Sequence, residues 1–268
     1  MNIVLDKSYL QGSSKDEIHK MCSQYQIIMT EVLFLEILTT EPENMIKCFK
    51  KFPKIENPVA LVPKVGTLIR YETEKDRQCS PIETQFLEDR YKFNESLAEG
   101  KFVFTEEQKN TLDEWNNTTT NETADFIEKA IVTEEWFRGL SEFKPGESLD
   151  PIVEAMEKVT QEEGFVRQIY SQIRDEIYST NKVLWPDPAK IGKEWILFRY
   201  HQVHLLVAIE YIKKYGKESK DVITKRLEND YLDIEYCIIG TIADGLATRD
   251  KAMATFYNLL CPDKDLIS

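Results

Sequence analysis

An α/β fold, a parallel sheet flanked by helices and interrupted by a mainly helical insertion, is the class this sequence predicts. Three observations carry it. Short apolar runs that read as strands lie at both ends of the chain: Ile3-Val4-Leu5 and Ile27-Ile28-Met29 near the start, Leu246-Ala247-Thr248 near the end. Each is followed by a helical pattern, and that alternation produces a parallel sheet. Between about residues 81 and 180 the signals are helical and strand signals nearly vanish. Chain ends that meet in one sheet are ordinary domain anatomy.

Taken in order, Asn2 to Asp6 reads as a buried strand and Ser14 to Ser23 as a short helix. Gln26 to Met29 is a second strand, entering a helix capped by Thr30, whose hydroxyl can accept a first-turn amide. Pro42 to Phe52 is a helix opened by proline, which lacks only an amide that has no partner there anyway. Pro53, Pro58, Pro63 and Gly66 then break regular structure, and a boundary is expected near them. Helices follow over Glu106 to Trp115, Glu122 to Leu140 and Pro151 to Ser179; in the last, Ile152, Met156, Val159, Val166, Ile169 and Ile173 recur at helical spacing. After Trp185-Pro186-Asp187-Pro188 comes a helix from Lys190 to Tyr215, then a long one from Lys220 that Gly245 ends. Leu246 to Thr248 is a short strand, Lys251 to Leu260 a helix, and Leu266-Ile267 a last edge strand. Residues 1–55 and 190–268 are therefore expected to form the α/β core, and residues 56–189 an acidic, mainly helical insertion.

At 268 residues and 42% hydrophobic content the chain can bury a sizeable core. Its net charge of -13 is local: residues 72 to 165 hold 24 acids against 10 Lys and Arg, so the flanks together are close to neutral. An insertion so acidic repels nucleic acid and suits a basic protein partner. The segment around Lys47, Lys50, Lys51, Lys54, Lys64 and Arg70 is basic instead. Five cysteines without CxxC spacing fit reduced, buried thiols. No apolar stretch reaches the length of a membrane span, and Ile3-Val4-Leu5 is far short of a signal sequence, so a cytoplasmic protein with no membrane partner is expected.

The residues that can carry chemistry are acids. Asp6 follows three apolar strand residues, at the carboxyl end where open α/β sheets place their ligands; capping of the following turn is the competing reading. An aspartyl-phosphate phosphatase would want a second Asp at position 8, where Ser8 stands. Glu36 lies in Val32-Leu33-Phe34-Leu35-Glu36-Ile37-Leu38, a helix apolar on nearly every face, and a carboxylate there must be paired, protonated or metal-bound. Glu31, in the first turn, is explained by the helix dipole. Asp230 and Asp233 are three apart on one helix face, and either or both can reach a metal. Asp244 reads as a loop hydrogen-bonder. Asp250 ends the strand after Thr248, which can hold a carboxylate or a metal-bound water. If these acids converge, their mutual repulsion calls for a divalent cation between them. His19, His201 and His204 form no catalytic cluster.

At these positions the chain resembles the PIN-domain family of metal-dependent nucleases. The matching residues are the opening Asp6-x-Ser8-x-Leu10, the strand running into a helix with an internal glutamate from Met29 to Leu38, Asp233 with the helix to Ala243, and the closing Thr248-x-Asp250. They cover roughly residues 1–50 and 190–268. The resemblance implies a PIN-like sheet and a four-carboxylate site on Asp6, Glu36, Asp233 and Asp250, binding Mg²⁺ or Mn²⁺ and hydrolysing phosphodiesters, RNA rather than DNA. Ser8 and Thr248 would support the site, and Lys7, Lys47, Lys50, Lys51 and Arg249 would contact phosphate. The insertion has no counterpart in small toxin members, and Asp230 competes with Asp233 for the third position. A second reading from another class is a catalytically silent PIN-like interaction protein whose acidic insertion docks a basic partner.

Overall fold

The structure, a computed structural model, describes residues 1–85, 95–115, 117, 118, 121, 124, 128, 150–181, 185–215 and 220–268. The chain divides into two compact units, one comprising Met1–Leu68, Cys79–Asn117 and Leu232–Ser268, the other Ile69–Gln78 and Thr118–Tyr231.

The first unit holds a five-stranded, all-parallel sheet of β1 (Asn2–Leu5), β2 (Gln26–Thr30), β3 (Ala60–Val62), β4 (Gly245–Ala247) and β5 (Asp265–Ile267), in the order β3-β2-β1-β4-β5. β1 is central, with Ile3 beside Ile27 on one side and Gly245 on the other. Ile3, Val4 and Leu5 are fully buried, as a strand covered on both faces requires. The flanking helices follow local rules. α1 (Lys7–Gly12) leads directly from β1; α2 (Lys15–Gln24) starts with a reciprocal capping box between Ser14 and Glu17. α3 (Glu31–Leu38) is capped as expected, the Leu33 amide donating to Thr30 Oγ1 at 3.1 Å, and buries Val32, Leu33, Phe34, Leu35 and Ile37. α4 (Pro42–Phe49) opens on its proline and ends three residues before the expected Phe52.

β3 and the first turn of α5 (Val65–Lys75), up to Leu68, belong to the unit of the sheet, where the sequence suggested that residues from 56 onward belong to the insertion. Pro58 and Pro63 flank β3 instead of interrupting it, and an edge strand tolerates proline at its ends. The Val65 amide donates to Glu235 Oε2 at 2.9 Å and the Lys64 amide to Glu31 Oε2 at 3.2 Å, so carboxylates far along the chain accept from the start of α5. Short helices at α6 (Glu95–Glu99) and α7 (106–115) complete the middle of this unit.

The second unit is helical. α8 (Asp150–Thr160) and α9 (Glu163–Asn181) replace the single helix expected over Pro151 to Ser179, with a break at residues 161 and 162. α10 (Ile196–Tyr215) starts six residues later than expected, after a turn, and α11 (Lys220–Ile242) crosses from this unit into the first. Val166 and Tyr170 pack in one buried cluster with Ile191, Trp195, Leu197, Phe198, Leu205 and Ile209. Residues 191–209 thus pack within the helical unit, to which the chain up to Tyr231 belongs, where the sequence suggested the sheet. The expected helix over Glu122 to Leu140 lies almost wholly outside the described residues. All five cysteines are free, Cys22 half-buried and the others buried. Among the described residues no helix is long and apolar enough to cross a membrane.

Gly245 does not end α11, which stops at Ile242; it is the first residue of β4. A Cβ there would stand 2.5 Å from the Asp265 carbonyl oxygen and 2.9 Å from Ile3 Cδ1, so glycine is required by close backbone approach. Gly245→Ala is expected to destabilise the protein by roughly 2 kcal/mol, the usual cost of forcing an extra methyl into a packed site. Urea unfolding would measure it, and a loss under about 0.5 kcal/mol, the usual range for a neutral surface change, would mean that β5 yields freely.

Candidate metal centre

The chain steps from β1 to β2 and β3 on one side of the sheet, then returns to β4 and β5 on the other. β1 and β4 are adjacent, with Leu5 beside Ala247, and the crevice beyond their carboxyl ends is a topological switch point. Asp6 leaves β1 and residues 248–250 leave β4 at this point, tied by the Asp6 amide donating to the Ala247 carbonyl at 3.0 Å.

Asp6 is 1% exposed and occupies the N-cap position of α1, yet its side chain caps nothing. Both hydrogen bonds to its carboxylate fall on Oδ2, one from the Thr248 hydroxyl at 2.7 Å and a short one from the Ser8 hydroxyl. Those hydroxyls accept in turn: Ser8 Oγ from the amides of Arg249 and Asp250, at 3.0 and 3.1 Å, and Thr248 Oγ1 from the Asp250 amide at 3.0 Å. Ser8 and Thr248 thereby clamp Asp6 to the loop after β4, and the turn-capping reading of Asp6 fails. Among the described residues no hydrogen bond engages Oδ1.

Glu36 has both oxygens engaged. Lys7 Nζ lies 2.5 Å from Oε1, and the Tyr236 hydroxyl donates to Oε2 at 2.6 Å. Of the three explanations open to a glutamate on so apolar a helix, pairing is the one realised, and the side chain keeps 20% exposure. Asp233 is half-buried on α11, one turn before Tyr236 and Cys237. Asp250 does not repeat the geometry of Asp6: exposed, it is the N-cap of α12 (Lys251–Leu260), its Oδ1 accepting from the amides of Ala252 and Met253 at 2.7 and 2.9 Å. Its hydrogen bonds, too, fall on one oxygen.

The acids share a field. Burial pushes the Tyr236 phenol well above its ordinary range, and the negative charges of Glu36, Asp6 and Asp233 push it further. Burial likewise raises the Cys237 thiol, reinforced by Asp233, Asp6 and Asp250. All four sequence-predicted acids therefore act on two neighbouring residues of α11. Among the described residues no three His, Cys, Asp or Glu side chains form a group that could hold a metal. The acids' partners are protein donors: Lys7 and Tyr236 on Glu36, hydroxyls on Asp6, helix amides on Asp250. The donor chemistry, carboxylate oxygens with one oxygen each of Asp6 and Asp250 outside any hydrogen bond among the described residues, suits a hard divalent cation.

The predicted phosphate contacts divide. Lys51 donates to the carbonyls of Leu10 and Gln11, both at 2.8 Å, and so closes the C-terminal end of α1. Arg249 does the same at Gly12, pairs with Glu17 and lies over the Tyr9 ring. Lys7 is on Glu36. Lys47 and Lys50, at the end of α4, are exposed. Asp230 is helical, and its side chain lies outside the described residues. Asp244 is a loop hydrogen-bonder, accepting from the Asn2 amide at 2.6 Å. His201 and His204 are buried in α10, in the second unit.

Tyr236 is the site residue that sequence reasoning missed. Its one signal was position, three residues after Asp233 on a helix, where a polar tip in an apolar run must find a partner. No family model matches the chain, and neither a curated protein nor a solved structure matches it.

Proposed function

We propose that the protein is a divalent-metal-dependent nuclease of PIN-like fold, acting on RNA in preference to DNA. One observation carries the reading: Asp6, a nearly fully buried carboxylate at the switch point, is held by hydroxyls on one oxygen only, within a field that Asp233 and Asp250 share at Cys237. Such a concentration of negative charge around a buried carboxylate is stabilised by a cation. Asp6, Asp233 and Asp250 would hold Mg²⁺ or Mn²⁺, with Glu36 available once one of its present partners yields. Bound there, the ion would supply charge to activate water and to offset the negative charge of the phosphoryl group. Ser8 and Thr248 orient Asp6, Asp250 is held in place by α12, and Lys47 and Lys50 offer exposed ammonium groups for the nucleic-acid backbone. Lys51 and Arg249 stabilise α1, so their part in phosphate binding is indirect.

A second reading, a catalytically silent interaction module whose acidic insertion binds a basic protein, draws support from the Lys7–Glu36 pair, which meets the charge of Glu36 without a metal. Incubation of the full chain with single-stranded RNA, structured RNA and flapped DNA, in Mg²⁺ or Mn²⁺ and in chelator, separates the two. Metal-dependent cleavage, fastest on RNA, is the expected result. No cleavage of any substrate with either metal would favour the silent module.

A further inference from the structure

We propose that Lys7 is a resident counter-ion that occupies the cation's side of Glu36 and must swing away before Glu36 can ligate a metal, an inference that rests on reading the acids as a metal site. Both oxygens of Glu36 are taken, Oε1 by Lys7 Nζ at 2.5 Å and Oε2 by the Tyr236 hydroxyl at 2.6 Å. Each oxygen keeps a second lone pair, so a divalent ion on this carboxylate competes with its partners through charge and crowding rather than through occupancy alone. The two are unequal. Tyr236 is fully buried, and its phenol would lose its acceptor with no water to replace it. Lys7 keeps 29% exposure on a flexible four-carbon stem, so its ammonium can leave for solvent at small cost. Lys7 is the partner that yields.

The placement gives the pair its consequence. Lys7 directly follows Asp6 at the first position of α1, and its ammonium lies on Glu36, the acid whose charge acts most on Tyr236. While it is there, it offsets the repulsion that a metal would otherwise relieve, and it repels the metal. Lys7 thereby sets the metal concentration at which the centre loads.

The test is titration of Mn²⁺ into the metal-free full chain by calorimetry, without nucleic acid. Lys7→Met is expected to bind Mn²⁺ about tenfold more tightly than the wild type, the scale of one half-buried charge contact removed. Lys7→Arg, which keeps the charge and grips a carboxylate in two places, should bind no tighter than wild type. In a Glu36→Gln background most of the Lys7→Met gain should vanish. If Lys7→Met is not folded by circular dichroism, Lys7→Gln provides the same readout, with a donor to Glu36 but no charge. Unchanged affinity in the uncharged variant, with binding still lost in Asp6→Asn, would overturn the role of Lys7 and leave the metal site standing. A gain that persists in full in the Glu36→Gln background would overturn it as well, since it would then report long-range charge alone. Mn²⁺ binding that is absent, or indifferent to Asp6, would overturn the site reading and the inference together.

Discussion

Asp6→Asn is expected to lower metal-dependent cleavage by roughly a thousandfold or more, beyond the 10- to 100-fold that loss of an outer-shell partner costs. The substitution keeps the shape of the side chain and leaves an oxygen for the Ser8 and Thr248 hydroxyls, so the clamp between α1 and the loop after β4 can persist. What it removes is a negative charge at the centre of the proposed ion's field. Far-ultraviolet circular dichroism and thermal unfolding should match the wild type, which separates lost chemistry from lost structure. Ser8→Ala removes one donor to Asp6 and one acceptor for the Arg249 and Asp250 amides, and a 10- to 100-fold loss is the roughly expected scale. An Asp6→Asn protein that cleaves RNA as fast as wild type would end the nuclease reading of this site.

Glu72→Ala is expected to cost about 3 kcal/mol of stability, the largest structural effect foreseen, because it strands buried donors. Glu72 is fully buried, and its carboxylate accepts from the Ile196 and Leu197 amides at 3.0 and 2.8 Å, capping the start of α10 from 124 residues away. Its charge also faces the positive end of that helix. Alanine would leave both amides inside the second unit without an acceptor. Glu72→Gln keeps the volume and one acceptor oxygen but turns an NH₂ donor toward the other amide, so it should lose roughly half as much or more. Equilibrium urea unfolding is the measurement, and a Glu72→Ala loss below about 1 kcal/mol, the net value of a single ordinary hydrogen bond, would mean that solvent or another group caps α10 instead.

Much of this protein is written locally. The apolar runs of β1, β2 and β4, the Thr30 cap, the proline opening α4 and the all-apolar α3 depend on residues a few positions apart, and each was legible in order. So was the strand-end position of Asp6. Other features were hidden because they are too short or too distant for periodicity to report. β3 has three residues between prolines, too few to establish a period of two. Gly245 looked like a helix stop because glycine commonly ends helices, whereas a neighbouring strand's carbonyl excludes a side chain there.

The sequence by itself determined an α/β chain with strands at its two ends, helices between them and a set of acids on sheet-end and helix positions. Only the tertiary structure decided what those acids touch. Asp6 met the Ser8 and Thr248 hydroxyls where a cap had been an equal alternative, Asp250 became a helix cap, and Glu36 met Lys7 and Tyr236, 29 positions before it and 200 after it. Tertiary packing likewise joined residues 190–231 to the helical unit and assigned Glu72 and Glu235 to remote helix starts. The physical reason is that periodicity records which face of an element avoids water, and many partners satisfy that requirement equally. A buried charge, amide or hydroxyl is satisfied by one particular group at hydrogen-bond distance, and chain closure across the whole fold selects it.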